Sequence, residues 1–400
     1  MAAIAPPLPK SLLARHRLLA PSASIRVSPL CLGGMGMYQS FHLKAFVPLK
    51  LVPGFGTAWQ GFMGVCSKDT TFGLLDTFYD LGGNFIDTAN VYQGGQSEQW
   101  IGEWLKKTGR RDEMVIATKY TMSPLMTNTV QTSNFAGTGT KSMHLSIAQS
   151  LENLQTNYVD IYYVHAFDYA TSVPELMQSL NNLVAQGKVL YLGISDCPAW
   201  FVVKCNAYAR QHGLRPFSVY QGQFSAQQRD LEREIIPMCQ DEGMAIQAFG
   251  VLGGGSFKSP DSAPEAGGRN APSHFLTGRE EQVSAALDKV ARRCGVPITS
   301  VALAYAMHKT PYLFPIIGGR KVEHLKSNVE ALGLELSHED VEAIEKAYDF
   351  DIGFPHSLIS STGQVPRGPQ DIGILASLGH FDYVAPSVAI KPYKGDLAAP

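Results

Sequence analysis

Residues 159–194 read VDIYYVHAFDYATSVPELMQSLNNLVAQGKVLYLGI. The two ends, VDIYYV (159–164) and VLYLGI (189–194), are short, nearly continuous apolar runs. Strands buried on both faces have this composition. Residues 174–185 between them carry the apolar spacing of an amphipathic helix, and Gly187 is placed to close it. Strand, helix, strand over so short a span predicts a parallel pair joined by a right-handed crossover.

The same alternation extends in both directions. Apolar runs at 31–36, 84–89, 114–118, 218–221, 244–249 and 312–317 bring the set of strands to eight. Helical spacing recurs at 145–154 (Leu145, Ala148, Leu151, Leu154), 198–210, 232–241 and 322–332. Ser142 is a plausible N-cap for the first of these, and Gly213 follows the second. Eight such units predict an α/β fold closed as a (β/α)8 TIM barrel, not an open doubly wound sheet.

Three segments exceed the repeat, at 38–56, 120–139 and 250–276. Each follows a strand, at the C-terminal face where barrel enzymes build their sites. Residues 337–349 read as one extra helix with Ser337 as N-cap. The predicted organisation is an N-terminal extension at 1–24, expected to be flexible, a barrel at 25–349 with an atypical insert at 38–56, and a Gly/Pro-broken C-terminal extension at 350–400.

Composition narrows the function classes. The 400 residues are 45% hydrophobic and 17% charged, so a large core is expected and global disorder is excluded. Lys and Arg total 33 against 35 Asp and Glu, which leaves no basic excess for a nucleic-acid backbone. No apolar run approaches the ~20 residues of a membrane helix. The six cysteines form no CxxC and no metal-type spacing, so no metal is expected and a reducing, cytoplasmic setting is. Residues 11–27 carry Arg15, Arg17 and Arg26 with no acid, as a transit peptide does, but Pro21 interrupts a helix there. The dinucleotide fingerprint GxGxxG, the phosphate loop GxxxxGK[ST], GxSxG and HExxH are all absent.

Polar residues at strand C-termini remain. Asp87 ends the second strand and Tyr92 lies just past it. Lys119 ends the third, His165 the fourth, Ser195 and Asp196 the fifth, Gln221 the sixth and Phe249 the seventh. Taken singly, each has a bland reading: Asp87 as a cap, Tyr92 as a packed aromatic, Lys119 as a solvated strand end, His165 as a core histidine. Converging on one mouth, they make a proton donor aimed at a carbonyl. A phenol titrates near ~10, and an adjacent ammonium is expected to lower it. With no Ser or Cys nucleophile evident, hydride from a nicotinamide is the economical partner. A Schiff-base lysine at 119, as in aldolase-type barrels, is the competing enzyme class.

From about Ile25 to Tyr348 the chain resembles the aldo/keto reductase superfamily. The resemblance rests on GGNFIDTANVY (82–92), SEQWIGEWLK (97–106), VIATKY (115–120), SLENLQTNYVDIYYVH (150–165), YLGISD (191–196) and IIGGRKVEHLKSNVEAL (316–332). FMGVCSKDTTFGLLDTFYDLGGNFIDTAN (62–90) points to the fungal norsolorinic acid reductase and aryl-alcohol dehydrogenase branch. The resemblance implies Asp87, Tyr92, Lys119 and His165 as catalytic residues. It implies Ser195, Asp196, Gln221, Phe249, Gly250, Gly318, Arg320, Lys321, His324 and Asn328 as contacts for NADP(H). The implied substrate is a small carbonyl or alcohol, either aryl or a secondary-metabolite intermediate. Nucleic-acid and membrane partners are not expected, and the oligomeric state stays open. Trp59, Phe167 and Phe257 are candidate substrate contacts.

Four departures from the family pattern stand out. Asp196 replaces a common Asn, His324 an Arg found in some members, and Ala166 a Trp that this branch tends to carry. The insert 38–56 is read as either a lid or translated non-coding sequence that could impair catalysis. A non-catalytic NADPH-binding barrel is the remaining alternative.

Overall fold

The computed structural model describes residues 6–34, 66–123, 131–259, 278–319 and 321–398. The insert 38–56, Trp59, most of 250–276 and Arg320 therefore lie wholly or largely outside the described residues. Ten strands are described, β1 (Arg17–Ala20), β2 (Ala23–Val27), β3 (Cys31–Gly33), β4 (Phe85–Asp87), β5 (Val115–Tyr120), β6 (Val159–Val164), β7 (Val189–Ser195), β8 (Phe217–Gln223), β9 (Ala245–Phe249) and β10 (Leu313–Ile317). Strands β3 to β10 close into one barrel, with β10 pairing with β3 in parallel. All eight expected strands are present, and the fold is a (β/α)8 TIM barrel.

The barrel interior and its outer jacket are two separate cores. Inward-facing Phe85, Val115, Ala117, Ile161, Tyr163, Val219 and Phe314 form one. Their outward neighbours Ile86, Ile116, Tyr162 and Val164 pack with the helices. This is the strand period of two at work, with both faces buried. Gly193 on β7 is needed for this packing. A Cβ there would stand 2.5 Å from the Tyr163 ring.

The helices of the jacket are α1 (Lys68–Asp80), α2 (Gln96–Thr108), α3 (Thr140–Asn153), α4 (Val173–Ala185), α5 (Ala199–Gln211), α6 (Ile235–Asp241), α7 (Arg279–Cys294), α8 (Ile298–Lys309), α9 (Val322–Glu330) and α10 (His338–Glu345). Gly187 and Gly213 follow α4 and α5 with φ of 68° and 65°, the left-handed geometry that ends a helix. Ser337 caps α10 through a capping box with Asp340. Ser142 is not the cap of α3. That helix starts two residues earlier behind Gly139, and Ser142 is buried in its first turn.

The N-terminal extension departs from expectation. Residues 17–27 form an antiparallel hairpin, β1 against β2, preceded by a 3-10 turn at Leu12–Ala14. Leu19, Ala20, Ala23 and Val27 join the interior core and close the barrel's N-terminal end. Burying these apolar side chains under the open barrel is what folds a segment expected to be flexible. The C-terminal extension also makes defined contacts. The Ala398 amide donates to Pro9 O at 2.9 Å and Lys394 Nζ to Gly333 O at 3.0 Å, so residues 390–398 return to the same pole.

Candidate active site

Three strand ends and one turn bring the expected catalytic residues together. Asp87 closes β4, Lys119 lies in β5 and His165 follows β6. Tyr92 opens a 3-10 turn, Tyr92–Gly95, in which Gln93, Gly94 and Gly95 all have positive φ (55°, 67° and 96°). A non-glycine residue held there is strained backbone, of the kind found beside functional side chains.

Lys119 is fully buried, and Asp87, Tyr92 and His165 nearly so. Lys119 Nζ donates to Asp87 Oδ2 (2.6 Å), Thr88 O (2.8 Å) and Tyr92 Oη (3.1 Å). Three acceptors match the three N–H bonds of an ammonium. Burial pushes Asp87 up and Lys119 down from their ordinary values, and each partner's charge pulls the other back. The geometry is that of a charged pair, which disfavours a Schiff-base role for Lys119.

The consequence for Tyr92 reverses the expectation. Burial raises its phenol well above the ordinary range, and the negative charges of Asp87 and Asp196 add to the rise. The Lys119 charge is taken up by Asp87. Tyr92 is therefore a neutral phenol at neutral pH. Its oxygen accepts from Lys119, so its own hydrogen is available to an acceptor outside this set.

His165 stands edge-on to Tyr92, with centroids 5.8 Å apart and planes at 73°. Its Nδ1 is buried without a hydrogen-bond partner among the described residues. Burial, reinforced by Lys119, holds the imidazole well below its usual pKa, so the ring is neutral. A neutral imidazole can orient a carbonyl without adding charge.

A supporting layer lies beneath these four residues, and of that layer the sequence singles out only Gln221. Gln221 Nε2 donates to Asp87 Oδ1 (2.8 Å) and to Gln247 Oε1 (3.0 Å). Tyr163 also donates to Gln247 Oε1, and Gln247 Nε2 reaches Cys31 Sγ. On the other side Thr118 donates to the fully buried Glu98 (2.6 Å), which Asn153 also contacts. A detectable signal exists for Gln247: it is the one polar side chain in AIQAF, and a polar group in a doubly buried strand needs a reason.

Those of the expected cofactor residues that are described lie at or after strand ends, while Arg320 lies outside the described residues. Ser195 is buried at the end of β7, and the Asp196 amide donates to Gln221 O at 3.2 Å. Asp196 itself faces solvent, with φ of 47°. Its carboxyl is open to solvent yet ringed by protein, and that surrounding protein pushes it up to about 7, against the pull of Lys119 and a bond from Ser195. Phe249 ends β9 half-buried, and Gly250 follows with φ of 78°. Across the barrel closure, Gly318 precedes α9, Lys321 and His324 are exposed at its start, and Asn328 is buried in it. An exposed helix start flanked by a lysine suits an anionic group. Phe257 is buried in the outer core. Phe167 stacks on Phe201 at 3.8 Å, beside Tyr169 and Trp200.

Among the described residues no cluster of metal-ligating side chains occurs, and no helix is long and apolar enough to cross a membrane. The chain matches the aldo/keto reductase family over residues 54–349. It is 65% identical over its whole length to an aryl-alcohol dehydrogenase of Pestalotiopsis microspora, covering 99% of that protein. It is 48% identical to a norsolorinic acid reductase of Aspergillus flavus, with 97% of this chain and 96% of that one aligned. It is 44% identical to an aryl-alcohol dehydrogenase [NADP(+)] of Phanerodontia chrysosporium, over 97% and 98%. The chain thus belongs to the aldo/keto reductase family, whose members are NADP-dependent oxidoreductases of carbonyl and alcohol groups.

Proposed function

We propose that this protein interconverts an aryl aldehyde or ketone and its alcohol with NADP(H), using Tyr92 as the proton donor. The observation that carries the reading is the Lys119–Tyr92 contact. It holds the phenol oxygen and leaves the phenol hydrogen for the substrate.

NADP(H), when bound, supplies or accepts the hydride. Ser195, Asp196 and Gln221 would hold its carboxamide, Phe249 its ring face, and Gly250 the adjoining backbone. Gly318, Arg320, Lys321, His324 and Asn328 would take the adenosine phosphate end. In reduction, Tyr92 passes its proton to the carbonyl oxygen as negative charge develops there. The phenolate left behind is met by the Lys119 N–H, which Asp87 keeps charged and Gln221 indirectly keeps in place. His165 stays neutral and orients the oxygen. Oxidation runs the same steps in reverse.

The aryl assignment is supported by the aryl-alcohol dehydrogenases among the relatives and by the aromatic group two residues past His165. Tyr169 and Trp200 are 73% and 57% exposed, an unusual display for large aromatics. Six free cysteines, five of them buried, support a reducing, cytosolic setting. Fluorescence titration with NADPH and NADH, followed by a panel of benzaldehydes and aliphatic aldehydes, tests the reading. Preferential NADPH binding with faster turnover of the aryl substrates is expected. NADPH binding without reduction of any carbonyl would instead favour the non-catalytic alternative.

A further inference from the structure

The pole opposite the active-site mouth carries a second concavity. It is a groove of about 560 Å³ between the N-terminal hairpin and the returning C-terminal extension. That volume suits a small organic molecule. Arg15, His16, Arg17, Lys391 and Lys394 line it, and among the described residues no acidic side chain does. A concave surface of one sign concentrates counter-ions.

Among the described residues, four of these five side chains have no carboxylate partner, and Lys391 alone has one, Glu335 at 3.3 Å. Lys394 donates to the Gly333 carbonyl, and Arg15 lies 4.0 Å over the Tyr393 ring. His16 Nε2 bonds the Gly82 carbonyl. Arg17 is half-buried and has no acid partner among the described residues. Burial depresses its guanidinium below the usual range, the mark of a cation losing water without gaining an anion. Leu12, Leu18 and Tyr312 supply an apolar wall beside these charges.

We propose that this polar groove binds a small phosphate dianion carried on a compact apolar body, with Arg17 as its central contact. Guanidinium and phosphate pair through two parallel N–H bonds, which a lysine cannot reproduce. Because Lys391 and Lys394 belong to the extension, the groove is complete only when that segment lies against the hairpin. The site is remote from Tyr92 and stands independently of the reaction assigned there.

Isothermal titration of the full chain with phenyl phosphate tests this, run with and without saturating NADP+ to separate the cofactor's own phosphate site. Binding that persists under NADP+ and weakens at least tenfold in both Arg17→Gln and Lys394→Gln is expected. Carbonyl reduction should be unchanged in both variants. Parallel titrations with inorganic phosphate and with phenol distinguish free phosphate from an organic phosphate as the source. Lys394 is exposed, so its variant keeps the test usable should Arg17→Gln fail to fold. No binding by the wild type under NADP+, or equal binding by wild type and variants, overturns the proposal.

Discussion

Lys119 Nζ sits 3.1 Å from the Tyr92 oxygen and 2.6 Å from Asp87 Oδ2, so one buried ammonium ties a phenol to a carboxylate. Replacing Tyr92 by Phe removes the proton and keeps the ring. Turnover should fall by about 10²–10⁴-fold. NADPH affinity should stay within a factor of about two, since the phenol is assigned no cofactor contact. Steady-state rates and a fluorescence titration on the same preparation check both halves. Retained reduction in this variant would remove Tyr92 from its assigned role.

Asp196 should make cofactor binding sensitive to pH near neutrality. Below about 7 its carboxyl is protonated and offers both a donor and an acceptor, as an asparagine amide does. Above that it only accepts, and it adds negative charge beside the phenol. NADPH binding should therefore be tighter at pH 6 than at pH 8, and Asp196→Asn should flatten the difference. The same shift has a stability sign. A carboxyl raised from 3.8 to about 7 on folding favours the folded state less as pH rises through that interval. Thermal melts across pH 4–7 should show a shallower decline in the variant. Superimposable profiles for the two proteins would contradict the assignment.

His165 should contribute no acidic limb near pH 6.5. Its imidazole is already neutral there, held down by burial and by Lys119. The pH dependence of kcat/KM for aldehyde reduction, measured from 5.5 to 7.5, should be unaltered in shape by His165→Gln while its amplitude drops. An inflection near 6.5 that vanishes in the variant would mean the ring titrates during turnover.

The barrel was legible because its strands are buried on both faces. Runs such as VDIYYV announce themselves without help from periodicity. Helix α8 was not drawn for the opposite reason: ITSVALAYAMHK is buried on nearly every side, from Ser300 to Ala306, so it has no amphipathic stripe to read. The hairpin at 17–27 consists of two strands of four and five residues whose partner is the barrel floor, a contact that no local pattern encodes. At the site, strand ends located Asp87, Lys119 and His165. The direction of the Tyr92 shift was not readable, because it depends on how deeply the phenol is buried and which carboxylates face it. Gln247, Tyr163 and Glu98 act behind the tetrad, and only the folded register reveals which strand faces them.

A buried charge network holds the outer jacket. Lys309 at the end of α8 pairs with Glu232 (2.9 Å) and with Glu345 of α10, while Arg229 bonds both acids. Lys309→Met leaves the buried Glu232 and the half-buried Glu345 with one cation. Such losses cost about 3–5 kcal/mol, so a clear drop in the denaturation midpoint is expected. Replacing Lys309 and Glu345 together by Met and Leu should recover part of it. Equal midpoints for the wild type and the single variant would mean the network carries little of the stability.

The hairpin floor has a bearing on proton traffic. Leu19, Ala20, Ala23 and Val27 stopper the barrel from below with hydrocarbon, and Phe85, Val115 and Phe314 fill the bore above them. Under the proposed mechanism, a phenolate formed at Tyr92 could not draw a replacement proton up through that column. Replenishment then enters from the rim at the opposite end of the barrel. On that reading, reprotonation of the phenol shares one end of the barrel with the entry of substrate and coenzyme.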